Sequence, residues 1–347
     1  MSEGIGIKVR RGGLLTTVQD RGRFGYRGIG MPVSGALDEP AMRAANLLVG
    51  NEAGLPVLEL TLGGPALYCH RDTLIALCGG HLPAAADGAE LPYGRPIFVR
   101  GGTALDIGYA RTGCRAYLAV AGGFQAAAAM GSASTYVRGG IGGATGSAGR
   151  ALKAGDTLGV CPPSRGAAAL AAALAARLEA SGSRRAWHAA DWFVQPELFP
   201  AYGDAYTVRA IIGPEHDRFS PEGRRRFWEE DYILSPQSDR MGSRLQGPAL
   251  ELSDPYQMVS EAVAPGTVQV PPNGQPIVLA ADCQTTGGYP RIAHVAAVDL
   301  PLLAQMRPGQ AIRFEPVDIA EAQELLAVRE HGLLLLEAGV QSRIRSL

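Results

Sequence analysis

Apolar runs in this chain are short, and a glycine pair closes most of them. Val57–Leu62 stops at Gly63-Gly64, Leu74–Leu77 runs up to Gly79-Gly80, Ile97–Val99 to Gly101-Gly102 and Arg115–Val120 to Gly122-Gly123. A chain punctuated in this way cannot sustain long helical faces, and it reads as many short strands joined by tight turns. The 46 glycines and 24 prolines stand in a chain that is 46% hydrophobic, so the punctuation belongs to ordered β-structure with enough apolar residues for a core. Further strands are expected at Ile5–Arg10, Thr16–Val18, Ala66–Cys69, Ala104–Tyr109, Ala205–Ile212, Tyr232–Leu234 and Pro276–Ala281. Glu59, in the middle of its strand, is expected to point outward, because lone carboxylates are seldom buried.

Helices are few. Asp38 suits an N-cap and Pro40 a first turn, and Ala41, Met42, Ala45, Leu48 and Val49 recur at helical spacing up to Gly50. Ser220 with Pro221 opens a second helix to about Glu230, Asp299 caps a third around Leu300–Gln305, and Ile319–Val328 makes a fourth. The tail to Leu347 is expected to return as a strand.

A length of 347 residues exceeds the usual single core, so two units are expected. A β-rich unit over 1–162 is followed by a linker region over 163–200 and a second unit over 201–347. The linker is placed by Pro162–Arg185, which is almost all alanine and reads as either a marginal helix or a linker helix. Leu152–Val160 (LKAGDTLGV) and Met306–Val317 (MRPGQAIRFEPV) share a turn-then-strand pattern, which either reflects two copies of one β-rich unit or the chance recurrence of a turn.

Composition removes several function classes. Charged residues make up 19% and the net charge is −1, which argues against nucleic-acid and anionic-membrane surfaces. No stretch has the length of a membrane span, and MSEGIGIKVRRGG lacks the apolar core of a secretory signal. The five cysteines are odd in number with no CxxC pair, so reduced thiols and a cytoplasmic location are expected. The six histidines form no HxH or HExxH string, and no metal is expected.

The densest polar group follows the buried run Pro276–Ala281: Asp282, Gln284, Thr285 and Thr286, then Gly287, Gly288, Tyr289. A strand that delivers an acid, an amide and two hydroxyls to a glycine turn either builds a site or simply reverses the chain. A second group lies near the N-terminus, where Gln19, Asp20, Arg21, Arg23, Tyr26 and Arg27 sit among glycines and lead to Ser34 and Asp38. Its arginines either hold a carboxylate or phosphate or bind loop carbonyls. Asp239 and Arg240 form a structural ion pair, a substrate clamp or a turn. Gly131–Arg150 has the glycine content of a phosphate cradle without GxxxxGK[ST], and a long, partly mobile loop is expected there.

Taken in order, TTVQDRGRFGYRGIGMPVSGALDEPAMRAANLLVGN, LELTLGGP, SPQSDRMGSRL and PPNGQPIVLAADCQTTGGYPRIA closely resemble the family of biotin-dependent carboxyltransferases and 5-oxoprolinase C subunits, from about Gly12 to Glu315. That family is also called KipA-like or allophanate hydrolase subunit 2-like, and it is related to the carboxyltransferase domain of urea carboxylase. Ser243 stands where a tyrosine is usual, and Cys283 where an arginine or small residue is usual.

The resemblance implies a β-rich α+β fold of tandem cyclophilin-like β-barrel units with a few short helices. It implies a partner, the 5-oxoprolinase B subunit or KipI-like protein. The A subunit joins them in an ATP-dependent complex that opens 5-oxo-L-proline to L-glutamate, and activity requires the partners. ATP would be used by the complex. Biotin, carried by another protein, belongs to the alternative in which the chain is half of a carboxyltransferase acting on urea or a similar amide. A regulatory protein that binds a KipI-like kinase inhibitor is the remaining alternative. The catalytic candidates are Asp282, Gln284, Thr285, Thr286 and Tyr289, and the substrate-binding candidates are Gln19, Asp20, Arg21, Tyr26, Ser34, Asp38, Asp239 and Arg240. Asp282 reads as a general acid/base or a turn cap, and Arg21 and Arg240 as carboxylate clamps.

Overall fold

The computed structural model describes residues 5–147 and 149–347. Met1–Gly4, the start of the stretch read for a leader, and Ala148, within the Gly131–Arg150 loop, lie outside the described residues. The chain divides into two compact units, Met1–Arg23 with Asp38–Ala201 and His331–Leu347, and Phe24–Leu37 with Tyr202–Glu330. The break at Ala201/Tyr202 falls beside the expected start of the second unit at 201, and no separate linker unit divides off over 163–200. The glycine-rich Phe24–Leu37 groups with the second unit and the Ala-rich segment with the first.

In the first unit the strands are β1 (Ile5–Arg11), β2 (Leu15–Gln19), β3 (Val57–Thr61), β4 (Ala66–Cys69), β5 (Thr73–His81), β6 (Ala84–Ala86), β7 (Ala89–Glu90), β8 (Ile97–Val99), β9 (Thr103–Ile107), β10 (Thr112–Val120), β11 (Thr157–Gly159) and β12 (Trp187–Ala189). They form two six-stranded sheets, ordered β11-β1-β4-β9-β6-β7 and β12-β8-β5-β10-β3-β2. One apolar core, including Ile7, Val18, Leu58, Leu77, Val99 and Leu118, draws on both. Helix α1 (Glu39–Leu48) is capped as expected, with the Asp38 side chain accepting from the Ala41 N–H at 3.0 Å.

The Ala-rich stretch forms α2 (Arg165–Ala180), capped by Ser164. Ala167, Leu170, Leu174 and Leu178 are its buried residues, so leucines four apart give an otherwise featureless helix one packing face.

Glu59 overturns its expectation. It is buried, and its Oε2 accepts from the Tyr117 hydroxyl at 2.8 Å, while that hydroxyl accepts from the Asp38 N–H at 2.7 Å. Burial, with Glu59 beside it, holds the Tyr117 phenol well above its ordinary range.

The second unit contains β13 (Ala205–Ile212), β14 (Tyr232–Leu234), β15 (Gly242–Gln246), β16 (Glu261–Ala262), β17 (Thr267–Gln269), β18 (Ile277–Leu279), β19 (Thr286–Gly287), β20 (Arg291–Val295) and β21 (Ala311–Pro316), with helices α3 (Pro221–Glu229) and α4 (Leu300–Gln305). Seven of these strands close a barrel in the order β13-β20-β17-β18-β15-β14-β21, and β16 pairs with β19 in a two-stranded ribbon. Alternation along β13 sends Tyr206, Val208 and Ala210 inward. Phe227 of α3 stacks on Phe314 of β21 with ring centroids 4.6 Å apart. Only this unit closes a barrel among the described residues.

Two C-terminal expectations change. Asp299 precedes α4 but makes no cap. Its carboxylate accepts from Arg209 Nε at 2.8 Å, Nη2 at 2.5 Å and the backbone N–H at 2.8 Å, a stronger set of bonds than one cap offers. The tail continues the helix at Ile319 as α5 (Ile319–Arg345), because Leu, Ala, Glu and Arg dominate it and no proline or β-branched run interrupts it.

The recurrence is a shared turn. Lys153 N–H bonds Asp156 Oδ2 at 2.8 Å, and Arg307 N–H bonds Gln310 Oε1 at 2.6 Å. Between each pair sits a left-handed glycine, Gly155 (φ 94°) or Gly309 (φ 90°), which the turn requires. The strands that follow differ: β11 lies at a sheet edge, whereas β21 sits inside the barrel.

Candidate functional site

In the barrel unit the antiparallel register of β15 and β18 pairs Gly242 with Leu279. Just beyond that pair, Arg240 comes opposite Asp282, and the Asp282 N–H donates to the Arg240 carbonyl at 2.8 Å. Their side chains meet too. Arg240 Nε donates to Asp282 Oδ2 at 2.9 Å and Nη2 to Oδ1 at 3.2 Å, with both residues buried. Arg240 Nη2 also donates to the Gly35 carbonyl at 2.6 Å, and the Ser34 N–H donates to the Ala281 carbonyl at 2.9 Å. A buried ion pair thus fastens the Ser34-Gly35 turn to the end of β18.

Ser34 is the strained member of this group. Its φ is 56°, in the left-handed region, and its buried Oγ has no hydrogen-bond partner. A serine held there costs roughly 1–3 kcal/mol, and the orphaned hydroxyl adds to that. Such features gather where a ligand completes the bonding.

The remaining candidates of this unit lie beyond the pair. Asp239 caps a local turn, accepting from the N–H groups of Met241 and Gly242 at 2.8 and 3.3 Å. Gln284 Nε2 reaches Gln269 Oε1 at 3.4 Å, and Gln269 Nε2 donates to the Tyr289 carbonyl at 3.2 Å. Gly287 lies so close to the Gln269 amide that an added Cβ would stand 2.5 Å from Nε2. Thr286 is exposed in β19, Thr285 lends its carbonyl to the Val263 N–H, and neither hydroxyl bonds to protein. The Tyr289 and Tyr26 side chains are exposed.

Four candidates belong to the first unit, where the structure gives them local partners. Asp20 accepts from Ser132 Oγ at 2.6 Å, Ser134 Oγ at 2.5 Å, and the Ala133 and Gly22 N–H groups at 2.6 and 2.8 Å. The buried Gln19 amide donates to Thr17 Oγ1 and to the Thr135 carbonyl. Arg21 pairs with Glu39 at 3.0 Å on the surface, and Asp38 caps α1.

Within the loop expected over Gly131–Arg150, Asp20 and the Thr135–Val18 backbone bond make Ser132–Thr135 a buried, anchored segment. Several of the loop's N–H groups are engaged internally, Gly140 to Val137, Ile141 to Tyr136, Gly143 to Ala133 and Gly149 to Gly142. Those N–H groups are not free to cradle a phosphate.

The sequence reading missed an open cleft of about 350 Å³ on the barrel unit. Pro214, Ala262, Val263 and Ala264 supply its apolar walls, and Arg27, Thr267, Arg291 and His294 its polar groups. Arg291 is satisfied, with Glu215 gripping it at 2.7 and 2.6 Å and Glu261 adding 2.6 Å. Arg27 Nη2 bonds the Val263 carbonyl, whereas its Nη1 is buried without a partner. Burial pushes the His294 imidazole below its ordinary pKa and so favours the neutral ring. Burial also raises the Cys283 thiol, with Arg27 beside it pulling it back. Arginines beside glycines were the signal for Arg27. Thr267 and His294 carried none, because a strand residue's neighbours across a barrel are not local in sequence.

Of the two departures, Cys283 packs with Val263 and Leu279, and Ser243 sits in β15 opposite Val278. Among the described residues no group of His, Cys, Asp and Glu is arranged to hold a metal, and no helix is long and apolar enough to cross a membrane.

Comparison with known proteins places this geometry in context. Residues 29–316 match the family model for the carboxyltransferase domain, subdomains A and B. The chain is 40% identical to the C subunit of Escherichia coli 5-oxoprolinase, over 91% of this chain and 93% of that protein. It is 38% identical to the Haemophilus influenzae protein of the same name, over 89% of this chain and 90% of that one. The crystal structure of Kluyveromyces lactis urea carboxylase superimposes with a TM-score of 0.85 at 30% identity, over 98% of this chain but only 30% of that chain. Strand-rich architecture, barrel and sequence agree, and the chain belongs to the carboxyltransferase-domain family of subdomains A and B.

Proposed function

We propose that this chain is the C subunit of an ATP-dependent 5-oxoprolinase, which opens 5-oxo-L-proline to L-glutamate together with its A and B subunits. The observation that carries this reading is identity near 40% over nine-tenths of both chains to a protein named for that role. The match spans the whole subunit, whereas the chain covers under a third of urea carboxylase, so the activity of that larger protein would need parts supplied from elsewhere.

Hydrolysis of the lactam is unfavourable near neutrality, and ATP supplies the driving force. The one loop with a cradle's composition lacks GxxxxGK[ST] and has several of its N–H groups already engaged, which supports an ATP site on a partner protein. This chain's contribution is to hold the substrate. The Arg240–Asp282 clasp, with Ser34 above β18, fixes the floor of the site. Gln284, Thr285, Thr286 and Tyr289 line its open edge, with Thr286 exposed and Thr285 half-buried. Gln19, Asp20, Arg21 and Asp38 act through the architecture of the first unit, and Tyr26 and Asp239 flank the barrel site. The complex works in the cytoplasm, and the chain is inactive alone.

The test is ATP-dependent glutamate release from 5-oxoproline by the complex assembled from this chain and its cognate partners, omitting each in turn. Turnover that requires this chain is expected. Undiminished turnover without it would refute the assignment. A stable complex that releases no glutamate would favour a carboxyltransferase using a biotin-carrying protein, or a regulatory protein bound to a KipI-like partner.

A further inference from the structure

We propose that the cleft beside β17 and β20 is a carboxylate-binding site, with Arg27 as its anchor and 5-oxoproline's own carboxylate as the group it takes. The identity of the ligand rests on the function proposed above; the preference for a carboxylate rests on the cleft alone.

The argument begins with charge. The carboxylates bonded to the neighbouring arginines are already engaged. Glu215 and Glu261 hold Arg291 with bonds of 2.6–2.7 Å, and Asp282 holds Arg240 at 2.9 Å. Arg27 has no carboxylate among the described residues, and its Nη1 is buried and unsatisfied. Its neighbour Cys283 stays a neutral thiol, because burial raises its pKa. The two carboxylates on Arg291 bring the formal sum around the cleft to zero, but both are bonded to Arg291, and the Arg27 guanidinium keeps a buried N–H with no acceptor, a donor that a ligand carboxylate would satisfy.

Orientation is fixed as well. The Nη2 bond to the Val263 carbonyl pins the guanidinium against the cleft wall. One fixed fork edge matches the planar geometry of a carboxylate. A polyphosphate would call for more cations, yet the chain's only lysines are Lys8 and Lys153, neither of them in the cleft.

The cleft's other polar groups, Thr267 and His294, suit an uncharged polar group. Thr267 Oγ1 accepts from the Ala264 N–H at 3.2 Å, so its own hydrogen is free for His294 Nδ1, 3.3 Å away. In that arrangement the neutral ring carries its proton on Nε2, a donor suited to an amide oxygen. The apolar walls fit the methylenes of a small lactam, and the volume falls at the small end of ligand pockets.

The test measures binding to the assembled complex by calorimetry, using 5-oxoproline, 2-pyrrolidinone (the same lactam without the carboxylate) and inorganic phosphate. In parallel it measures KM and kcat for 5-oxoproline. Arg27→Met should weaken 5-oxoproline at least tenfold and raise its KM by a similar factor, leaving pyrrolidinone binding unchanged. Arg27→Lys, which keeps the charge without the fork, should fall between, and it covers the case in which the Met variant fails to fold. Wild-type affinity for 5-oxoproline in a folded Arg27→Met or Arg27→Lys complex would overturn the anchor while leaving the function standing. Phosphate binding that equals 5-oxoproline binding and is lost with Arg27 would overturn the carboxylate preference. Arg27-dependent 5-oxoproline binding in a complex without turnover would keep the site and remove the oxoprolinase reading.

Discussion

Removing the charge of Asp282 tests whether the Arg240 clasp organises the barrel end. The two side chains are only 6–7% exposed, and Asp282 receives two of Arg240's N–H groups. Asp282→Asn keeps the shape but leaves a buried guanidinium without its counter-charge, a loss of about 3–5 kcal/mol. Arg240→Met strands the carboxylate and should cost a similar amount, with the Gly35 carbonyl losing its donor besides. Replacing both, as Arg240→Met with Asp282→Leu, removes the unpaired charge, and the double variant should lose less than either single one. The expected coupling is about 2 kcal/mol or more. Urea unfolding of the four proteins, followed by far-UV circular dichroism, gives each free energy from midpoint and slope. Single variants that each lose under about 1 kcal/mol, or that add without coupling, would refute the reasoning, because an exposed pair behaves in that way.

Other expectations follow from neighbouring features. Ser34→Gly relieves the left-handed strain and removes the orphaned hydroxyl, so after the entropy cost of glycine it should stabilise the chain by about 1–2 kcal/mol. The same change should lower turnover of the complex; a melting temperature that falls would contradict the strain argument. Asp20→Ala deprives Ser132, Ser134 and two backbone N–H groups of their acceptor and should cost about 3 kcal/mol, with faster amide exchange at 132–135. Unchanged exchange would show that the loop is held otherwise. His294 sets a pH dependence. Its folded pKa lies below the ordinary 6.5, so the unfolded state binds more protons between the two values. Stability from this group is present above about 6.5, declines as pH falls through that window and levels off below the folded value. His294→Gln should flatten the slope, and an identical profile in both proteins would exclude His294 as its source. Leu174→Ala should cost about 2–5 kcal/mol if α2 is an integral layer of the first unit. A cost near zero would return it to the status of a linker.

Local chemistry was legible where the governing interactions are local. The Asp38 cap, the Ser220-Pro221 helix start and the strands at Ala66–Cys69, Ile97–Val99 and Tyr232–Leu234 follow from spacing and turn residues a few positions away. Glu59 was misread because its partner, Tyr117, lies 58 residues off, on a strand whose register fixes the contact. Asp299 has the look of a cap, yet a partner 90 residues away outweighs that role. The tail fails as a strand for a simpler reason: its residues prefer helix. Within the candidate site, Asp282, Arg240 and Ser34 were each visible as polar residues beside turns, and only the pairing of β15 with β18 shows that they meet. Arg27 was visible as a base among glycines. Its missing partner was not, since an unsatisfied group is a property of the whole surrounding shell.

The barrel closes along a parallel seam, where β13 and β21 pair from Ala205↔Ala311 to Ala210↔Pro316. Strands about a hundred residues apart in the chain must find each other before any edge disappears. During synthesis, β13 leaves the ribosome long before its partner exists, and one of its edges remains open until the chain has passed Pro316. The unit therefore has a late point of commitment: fragments that end before β21 carry an unpaired, strand-ready edge and a half-covered apolar interior. Such fragments are the species most prone to pair with one another. In a cell, the supply of this protein would depend as much on how quickly that last strand arrives as on how stable the finished barrel is.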